Sequence, residues 1–317
     1  CEKACSRSGI DRPIHIGKLQ KFLVEQEKEE NMNFMKPGEP NGKRIACIGA
    51  GPSSLACARE LARNGYAVTI FEANEKAGGM LTYGILPSRL PQKVVDFDIE
   101  TIRQAGVQFE FNHKVDRDEL ERLKKEYDAV YVGVGLWKAK DVTIPGAELS
   151  GVENALSYLK AARNQDQDFK VGENVIVIGG GDVAMDCVST AKQLGANAVI
   201  VYRRTIEEAP ANMEEVAAVQ KMGIPIFTQF APEEILGENG KVTGLKAAGR
   251  DGYSSLILKA DQIVFAIGQE QTDEFAGLEK EAGVFTGGDM LYGRGRTVVE
   301  AVADGKQAAA DIAEYLK

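Results

Sequence analysis

Two glycine-rich turns, GAGPSS at residues 49–54 and GGGDVA at residues 179–184, each separate a short apolar, β-branched run from a stretch of helical character. A second apolar run follows each, so strand, turn, helix and strand occur twice, with Gly49 and Gly179 130 residues apart. One Gly-x-Gly-x-x-Gly match is weak evidence, whereas two in this setting describe two βαβ dinucleotide-binding units. The first glycine makes the tight turn, the second lets backbone approach a pyrophosphate, and the helix N-terminus receives its charge. Ser54 and Ala184 stand at the third positions; both are small enough for helix to pack on strand. Gly49, Gly51, Pro52 and Ser53 are therefore candidate contacts of one nucleotide, and Gly179, Gly181, Asp182, Val183 and Ala184 of another. Such a pairing is the pattern of a flavin protein fed by a nicotinamide nucleotide.

The ends of the second strands separate the two. Glu72 lies 21 residues after Gly51, where a carboxylate binds both hydroxyls of an unphosphorylated ribose, as the adenosine half of FAD requires. The same count from Gly181 reaches Tyr202, followed by Arg203 and Arg204. An acid there would repel a 2′-phosphate and guanidinium forks would grip it, so NADPH is expected in preference to NADH. Gly78, Gly79 and Met80 follow Glu72 closely enough to lie along the pyrophosphate and flavin, and Arg89 is placed to neutralise phosphate. Near the C-terminus, TGGDMLYGRGRTVVEA brings a glycine pair and an aspartate ahead of a helix. Asp289, after Gly288, can accept from a sugar-alcohol hydroxyl. Amides around Thr297 and Val298 can donate to the electron-rich edge of an isoalloxazine, with the helix dipole favouring charge there.

The expected fold class is α/β with two Rossmann-like domains, the FAD domain interrupted by the NADPH domain, and a short helical N-terminal remnant. The remnant and its Pro/Gly-rich linker take residues 1–40, the FAD domain 41–150 and 284–317, and the NAD(P)H domain 151–283. Helices are predicted over 17–30, 52–64, 94–105, 118–125, 155–164, 182–194 and 297–315. Strands are predicted over 44–48, 66–72, 107–111, 129–133, 174–178 and 198–202. Further apolar runs at 224–228, 242–247, 255–258 and 261–267 are expected to extend the second, mainly parallel sheet. At 317 residues and 44% apolar content the chain can bury two cores. No apolar run approaches the ~20 residues that cross a bilayer, and the first residues lack a signal-peptide layout, so the cytoplasm is the expected setting. The net charge of -9 disfavours nucleic acid as a bulk partner.

Cys47, Cys57 and Cys187 lie in apolar strand or helix contexts and read as small buried hydrophobes. Cys1 and Cys5 lack such surroundings and read as ligands of an iron–sulfur cluster. A [4Fe–4S] cluster wants about four ligands, so the others would lie upstream or on another chain, and the chain looks truncated. His15 and His113 are too few and too scattered for a relay or a metal site.

The run CEKACSRSGIDRPIHIGKLQKF, then GAGPSSLACARELARNGYAVTIFEANEKAGGMLTYGI, YVGVGLW, GGGDVAMD, VYRR, AIGQ and TGGDMLYGRGRTVVEAVADGKQAA resembles the flavin module shared by glutamate synthase small subunits and dihydropyrimidine dehydrogenases. The segment RPIHIGKLQ is closer to the pyrimidine-reducing branch, where a glutamine at the place of Gln20 is an unusual cluster ligand. The resemblance implies FAD, NADPH and, in the full-length parent, [4Fe–4S] clusters, with Cys1, Cys5 and Gln20 among their ligands. Val115 and Gly135 then join the FAD contacts, and Ala266, Ile267 and Gly268 those of NADPH, while 133–135 cross between domains. One departure concerns Arg89: the family loop has an aromatic just before this basic residue, whereas here Pro87 and Ser88 precede it.

The implied reaction passes hydride from NADPH to flavin and electrons onward to clusters and a substrate-reducing subunit, with no side chain as acid, base or nucleophile. A thioredoxin-reductase-like dithiol enzyme shares the plan but needs a Cys-x-x-Cys pair, and the sequence has none. A different class, a non-catalytic flavoprotein scaffold or redox sensor docking an electron-transfer partner, fits the same nucleotide sites.

Overall fold

The computed structural model describes residues 2–30, 32, 34–164, 169–275, 277–278, 281–293, 295 and 297–317. After two short 3-10 turns comes helix α1 (Ile16–Glu29), none of whose residues is buried. The first βαβ unit follows: β1 (Arg44–Ile48), α2 (Pro52–Arg63) and β2 (Ala67–Phe71). Then come α3 (Met80–Tyr83), α4 (Gln92–Gln104), β3 (Gln108–Glu110), α5 (Arg117–Glu126) and β4 (Ala129–Val132). Strand β5 (Lys138–Ala139) leads to the second unit, β6 (Val152–Asn154), α6 (Ala155–Asn164), β7 (Asn174–Ile178), α7 (Asp182–Gln193) and β8 (Asn197–Tyr202). Next are α8 (Met213–Lys221), β9 (Ile226–Thr228), β10 (Phe230–Glu238), β11 (Lys241–Gly249), β12 (Ser255–Lys259) and β13 (Gln262–Phe265). The chain closes with β14 (Gln269–Glu270), β15 (Val284–Thr286), α9 (Asp289–Tyr292) and α10 (Val298–Tyr315).

Both large sheets are five-stranded and wholly parallel, in the orders β15-β4-β1-β2-β3 and β6-β13-β7-β8-β9. Their central strands are continuous apolar runs because both faces are covered: Ile45, Ala46, Cys47 and Ile48 are buried in β1, and Val175, Ile176, Val177 and Ile178 in β7. Cys57 and Cys187 are fully buried on the helices that follow. Strand β15 belongs to the first sheet although the whole second sheet intervenes in sequence.

The second sheet corrects one expectation. Runs 224–228 and 261–267 join it as β9 and β13, but 242–247 and 255–258 do not. They form β11 and β12 of a separate antiparallel sheet, ordered β10-β11-β12. The cause is the Asn239–Gly240 pair, with φ of 54° and 77°, which turns the chain back as a tight hairpin and imposes antiparallel pairing.

Helix α10 lies against α2 at unusually close range. A Cβ on Gly305 would stand 2.8 Å from the Ser53 carbonyl carbon and 3.1 Å from the Cys57 nitrogen, so only glycine lets the helix backbones meet there.

Candidate functional site

The first turn sits at the C-terminal edge of its sheet, where open α/β sheets bind ligands. Gly49 has φ of 86° and donates to Phe71 O at 2.8 Å; a Cβ there would lie 2.9 Å from Gly133 O. Gly51 caps α2, and the nearest atom to its Cβ position is Gly133 O at 3.9 Å, which leaves this face open for a ligand. Gly79 approaches from one side, 3.0 Å from Gly51 Cα by the same measure, and Gly288 from the other, 2.8 Å from Ser53 Oγ. Met80 begins α3 and Asp289 begins α9. Gly49, Gly51, Pro52, Ser53, Gly79, Met80, Gly288 and Asp289 thus come together. Ser54 Oγ donates to Gly133 O at 3.4 Å, tying the turn to the segment that carries Gly135.

Glu72 is buried just beyond β2. Its carboxylate accepts from Ala50 N at 2.8 Å, Asn74 N at 2.8 Å and Asn74 Nδ2 at 2.7 Å. A carboxylate offers about four acceptor positions, so capacity remains for a sugar hydroxyl. Asn74 is a site residue that no sequence motif marks. It also accepts from Lys160 Nζ at 2.9 Å and so links Glu72 to α6 beside the second sheet. The Val115 side chain is buried with Phe71 and Val132 in the core behind this edge. Tyr131 adds a buried hydroxyl without a hydrogen-bond partner among the described residues.

Three of the predicted site residues have partners within the protein. Thr297 caps α10 in a capping box: its hydroxyl accepts from Glu300 N at 3.3 Å, and its own N–H donates to Glu300 at 2.9 Å. The Thr297 amide is therefore engaged, and Val298 supplies the first amide at the helix start. Arg89 is engaged by the second unit. Its guanidinium binds Asp186 at 2.5 Å and Glu215 at 2.7 Å, on α7 and α8 of the second unit. The loop around Pro87 and Ser88 lies on these helices, where Gln193 donates to Ser88 Oγ at 3.4 Å. Two partly desolvated carboxylates beside the loop demand a cation. Arg163 on α6 completes the seam by donating to the carbonyls of Ile85 and Leu90. Asp182, finally, turns its carboxylate to Asn212 N at 2.8 Å and anchors the start of α8.

Burial pushes Asp186 up to about 6, against the opposing pull of Arg89. Because this lies above the ordinary 3.8, the stability linked to its protonation is complete below about pH 4, falls as pH rises to about 6 and is level beyond. Asp186→Asn should remove that slope, at most about 3 kcal/mol. Urea denaturation at about pH 4.5 and about pH 7 reads it; an unchanged slope in the variant would refute the assignment.

The second turn repeats the geometry of the first. The Gly179 N–H donates to Val201 O at 3.1 Å, and Gly181 caps α7 with only Pro210 Cγ, at 3.8 Å, near its Cβ position. Ala184 is fully buried and Val183 partly so. The Tyr202 ring lies beneath Gly180, and its hydroxyl donates to Glu208 O at 3.1 Å. Arg203 and Arg204 are exposed beside a groove of about 350 Å³ that also takes Glu208 and Arg250. The run Ala266, Ile267 and Gly268 leaves β13 for the ribbon in which β14 pairs with β5, and Lys140 N donates to Gly268 O at 3.2 Å. At the N-terminus, Cys1 lies outside the described residues, while Cys5 is half-buried and Gln20 exposed. Backbone donors from Ile14 and Arg7 hold the Cys5 thiol below its ordinary value. Cys5 and Gln20, the two candidate ligands among the described residues, are fewer than the roughly four a [4Fe–4S] cluster takes.

Two dinucleotide-binding sheets, one with a buried glutamate beside its turn and the other with an arginine pair, define a two-nucleotide oxidoreductase fold. The profile of the pyridine nucleotide-disulphide oxidoreductase family matches residues 43–305. The chain belongs to that family and is an NAD(P)H-dependent flavin oxidoreductase. It is 38% identical to the NAD-dependent dihydropyrimidine dehydrogenase subunit PreT of Escherichia coli O157:H7, over 100% of this chain and 79% of that protein. It is 32% identical to the glutamate synthase [NADPH] small chain of Azospirillum brasilense, over 100% of this chain and 76% of the relative. Among solved structures, Mycobacterium tuberculosis FprA in complex with NADPH shares the fold with a TM-score of 0.76 at 17% identity, over 88% of this chain and 85% of FprA. The family assignment sets aside the non-catalytic scaffold. No helix among the described residues is long and apolar enough to cross a membrane.

Proposed function

We propose that the chain oxidises NADPH at the second turn, reduces FAD held at the first, and serves as the electron-input module of an assembly that reduces a separate substrate. A bound flavin would supply the redox chemistry between nicotinamide and a one-electron acceptor. The residues bind and orient. Glu72, fixed by Ala50 and Asn74, takes the adenosine ribose; the glycine backbones of 49–51, 79 and 288 leave room for the pyrophosphate and ribityl chain; Asp289 and the Val298 amide meet the flavin end. Ala266, Ile267 and Gly268 flank the nicotinamide, and Arg203 and Arg204 take the 2′-phosphate. On this reading residues 41–150 with 284–317 form the FAD domain and 151–283 the NAD(P)H domain. Residues 1–40 are a cluster-binding segment and linker, with Cys1, Cys5 and Gln20 as iron–sulfur ligands. The resemblance to both dihydropyrimidine dehydrogenase subunits and glutamate synthase small chains supports an iron–sulfur partner as the electron exit.

The observation that carries this reading is the inequality of the two turns, a buried carboxylate beside one and exposed arginines beside the other. Anaerobic NADPH should bleach the flavin band of the purified protein within seconds; a persistent oxidised spectrum would refute it. Arg203→Ala should weaken NADPH by about tenfold while barely changing NADH, since one charged hydrogen bond is worth about 1.5–3 kcal/mol. Equal losses for both cofactors would remove the 2′-phosphate assignment.

A further inference from the structure

The groove beside the arginine pair contains an acid. Glu208 Oε2 accepts from Thr205 N at 2.9 Å and from Arg250 Nη1 at 2.7 Å, and these bonds hold its carboxyl below the usual range. Arg250 is brought there by the antiparallel sheet. Its N–H donates to Gln229 O at 2.8 Å, and Gln229 N donates to Arg204 O at 3.0 Å. An arginine 46 positions downstream of Arg204 (250 − 204) is thereby set in the same groove. The groove thus carries three guanidinium groups and one carboxylate, beside the strand end where the 2′ position of a bound dinucleotide falls.

The Glu208–Arg250 pair is open to water, with side chains 42% and 55% exposed. Solvent-screened pairs of this kind are weakly held, so Arg250 can exchange one anionic partner for another at little cost. A 2′-phosphate entering the groove competes with the Glu208 carboxylate for Arg250 and meets that carboxylate's charge. A 2′-hydroxyl brings no charge and offers a proton that a carboxylate accepts.

We propose that Glu208 and Arg250 grade the 2′ substituent of the incoming nicotinamide nucleotide: Arg250 joins Arg203 and Arg204 on a 2′-phosphate, while Glu208 accepts from a 2′-hydroxyl and opposes the phosphate. The inference rests on the reading that the second turn binds NAD(P)H. It makes the chain a dual-cofactor enzyme whose preference is set by one exposed acid and not by the arginine pair alone. Relatives with opposite cofactor names are compatible with such a device, because a single charge in this groove tips the balance.

The test is calorimetric binding of 2′,5′-ADP and of ADP to the flavin-loaded full chain, with steady-state NADPH and NADH kinetics beside it. Glu208→Gln should raise the affinity ratio of 2′,5′-ADP to ADP by about tenfold, and Arg250→Gln should lower it by about tenfold with ADP binding unchanged. Both side chains are on the surface, so the variants should keep the wild-type melting curve. If the wild type binds both nucleotides but neither variant moves the ratio, the selector role is overturned while nucleotide binding stands. If the wild type binds neither nucleotide, the underlying reading falls and this inference with it.

Discussion

Alanine at Gly305 is expected to destabilise the protein and to empty its flavin site in the same step. The added methyl group would meet the carbonyl of Ser53 and the nitrogen of Cys57, both backbone atoms that no rotamer change can move aside. Overpacking of this kind costs about 1–3 kcal/mol and occasionally more. Ser53 belongs to the first turn, so pushing α10 off α2 also shifts the glycines that would face the pyrophosphate. Thermal melting and bound flavin per chain should fall together. A variant that melts like the wild type and carries a full complement of bound flavin would show that the two helices have slack.

Glu72→Ala should produce the other large loss. The substitution deletes the acceptor for Ala50 N, Asn74 N and Asn74 Nδ2, and a buried donor left without a partner costs about 1–3 kcal/mol. The flavin-free protein should therefore lose stability by that order. FAD affinity should drop further, by at least about tenfold, through the missing contact to the ribose. Glu72→Gln keeps one acceptor oxygen and should fall between. Urea denaturation with and without FAD separates the two effects. If only the flavin-bound form is destabilised, the internal hydrogen bonds of Glu72 contribute nothing; if only the flavin-free form changes, its role is structural.

The sequence made the parallel sheets legible because their signal is local: a β-branched run, a glycine turn and a helix within some thirty residues. It was also enough to separate Glu72 from Arg203 and Arg204, since both readings count a fixed distance from a glycine. The antiparallel sheet is less legible because its apolar residues look like strand in either arrangement, and direction is decided by Asn239 and Gly240 at the hairpin. Arg250 was missed for the same reason, since its place beside Arg204 depends on that hairpin. The partners of Arg89 are not legible in the sequence, because Asp186 and Glu215 belong to the second unit and become adjacent to it only after folding. Asn74 carried no motif, and its link from Glu72 to Lys160 belongs to tertiary structure alone.

The return of β15 to the first sheet has a consequence for biosynthesis. Strand β4 pairs with β1 on one side and β15 on the other, so a chain emerging from the ribosome N-terminus first presents β4 with one bare edge until all of β6 to β14 has been made. Bare strand edges invite wrong pairing, and domains generally fold as units in the order of synthesis. Here the second unit, continuous in sequence from β6 to β13, can complete itself while the first is still waiting. The second parallel sheet is thus built before the first, whose edge strand β15 and packing helix α10 join it only afterwards.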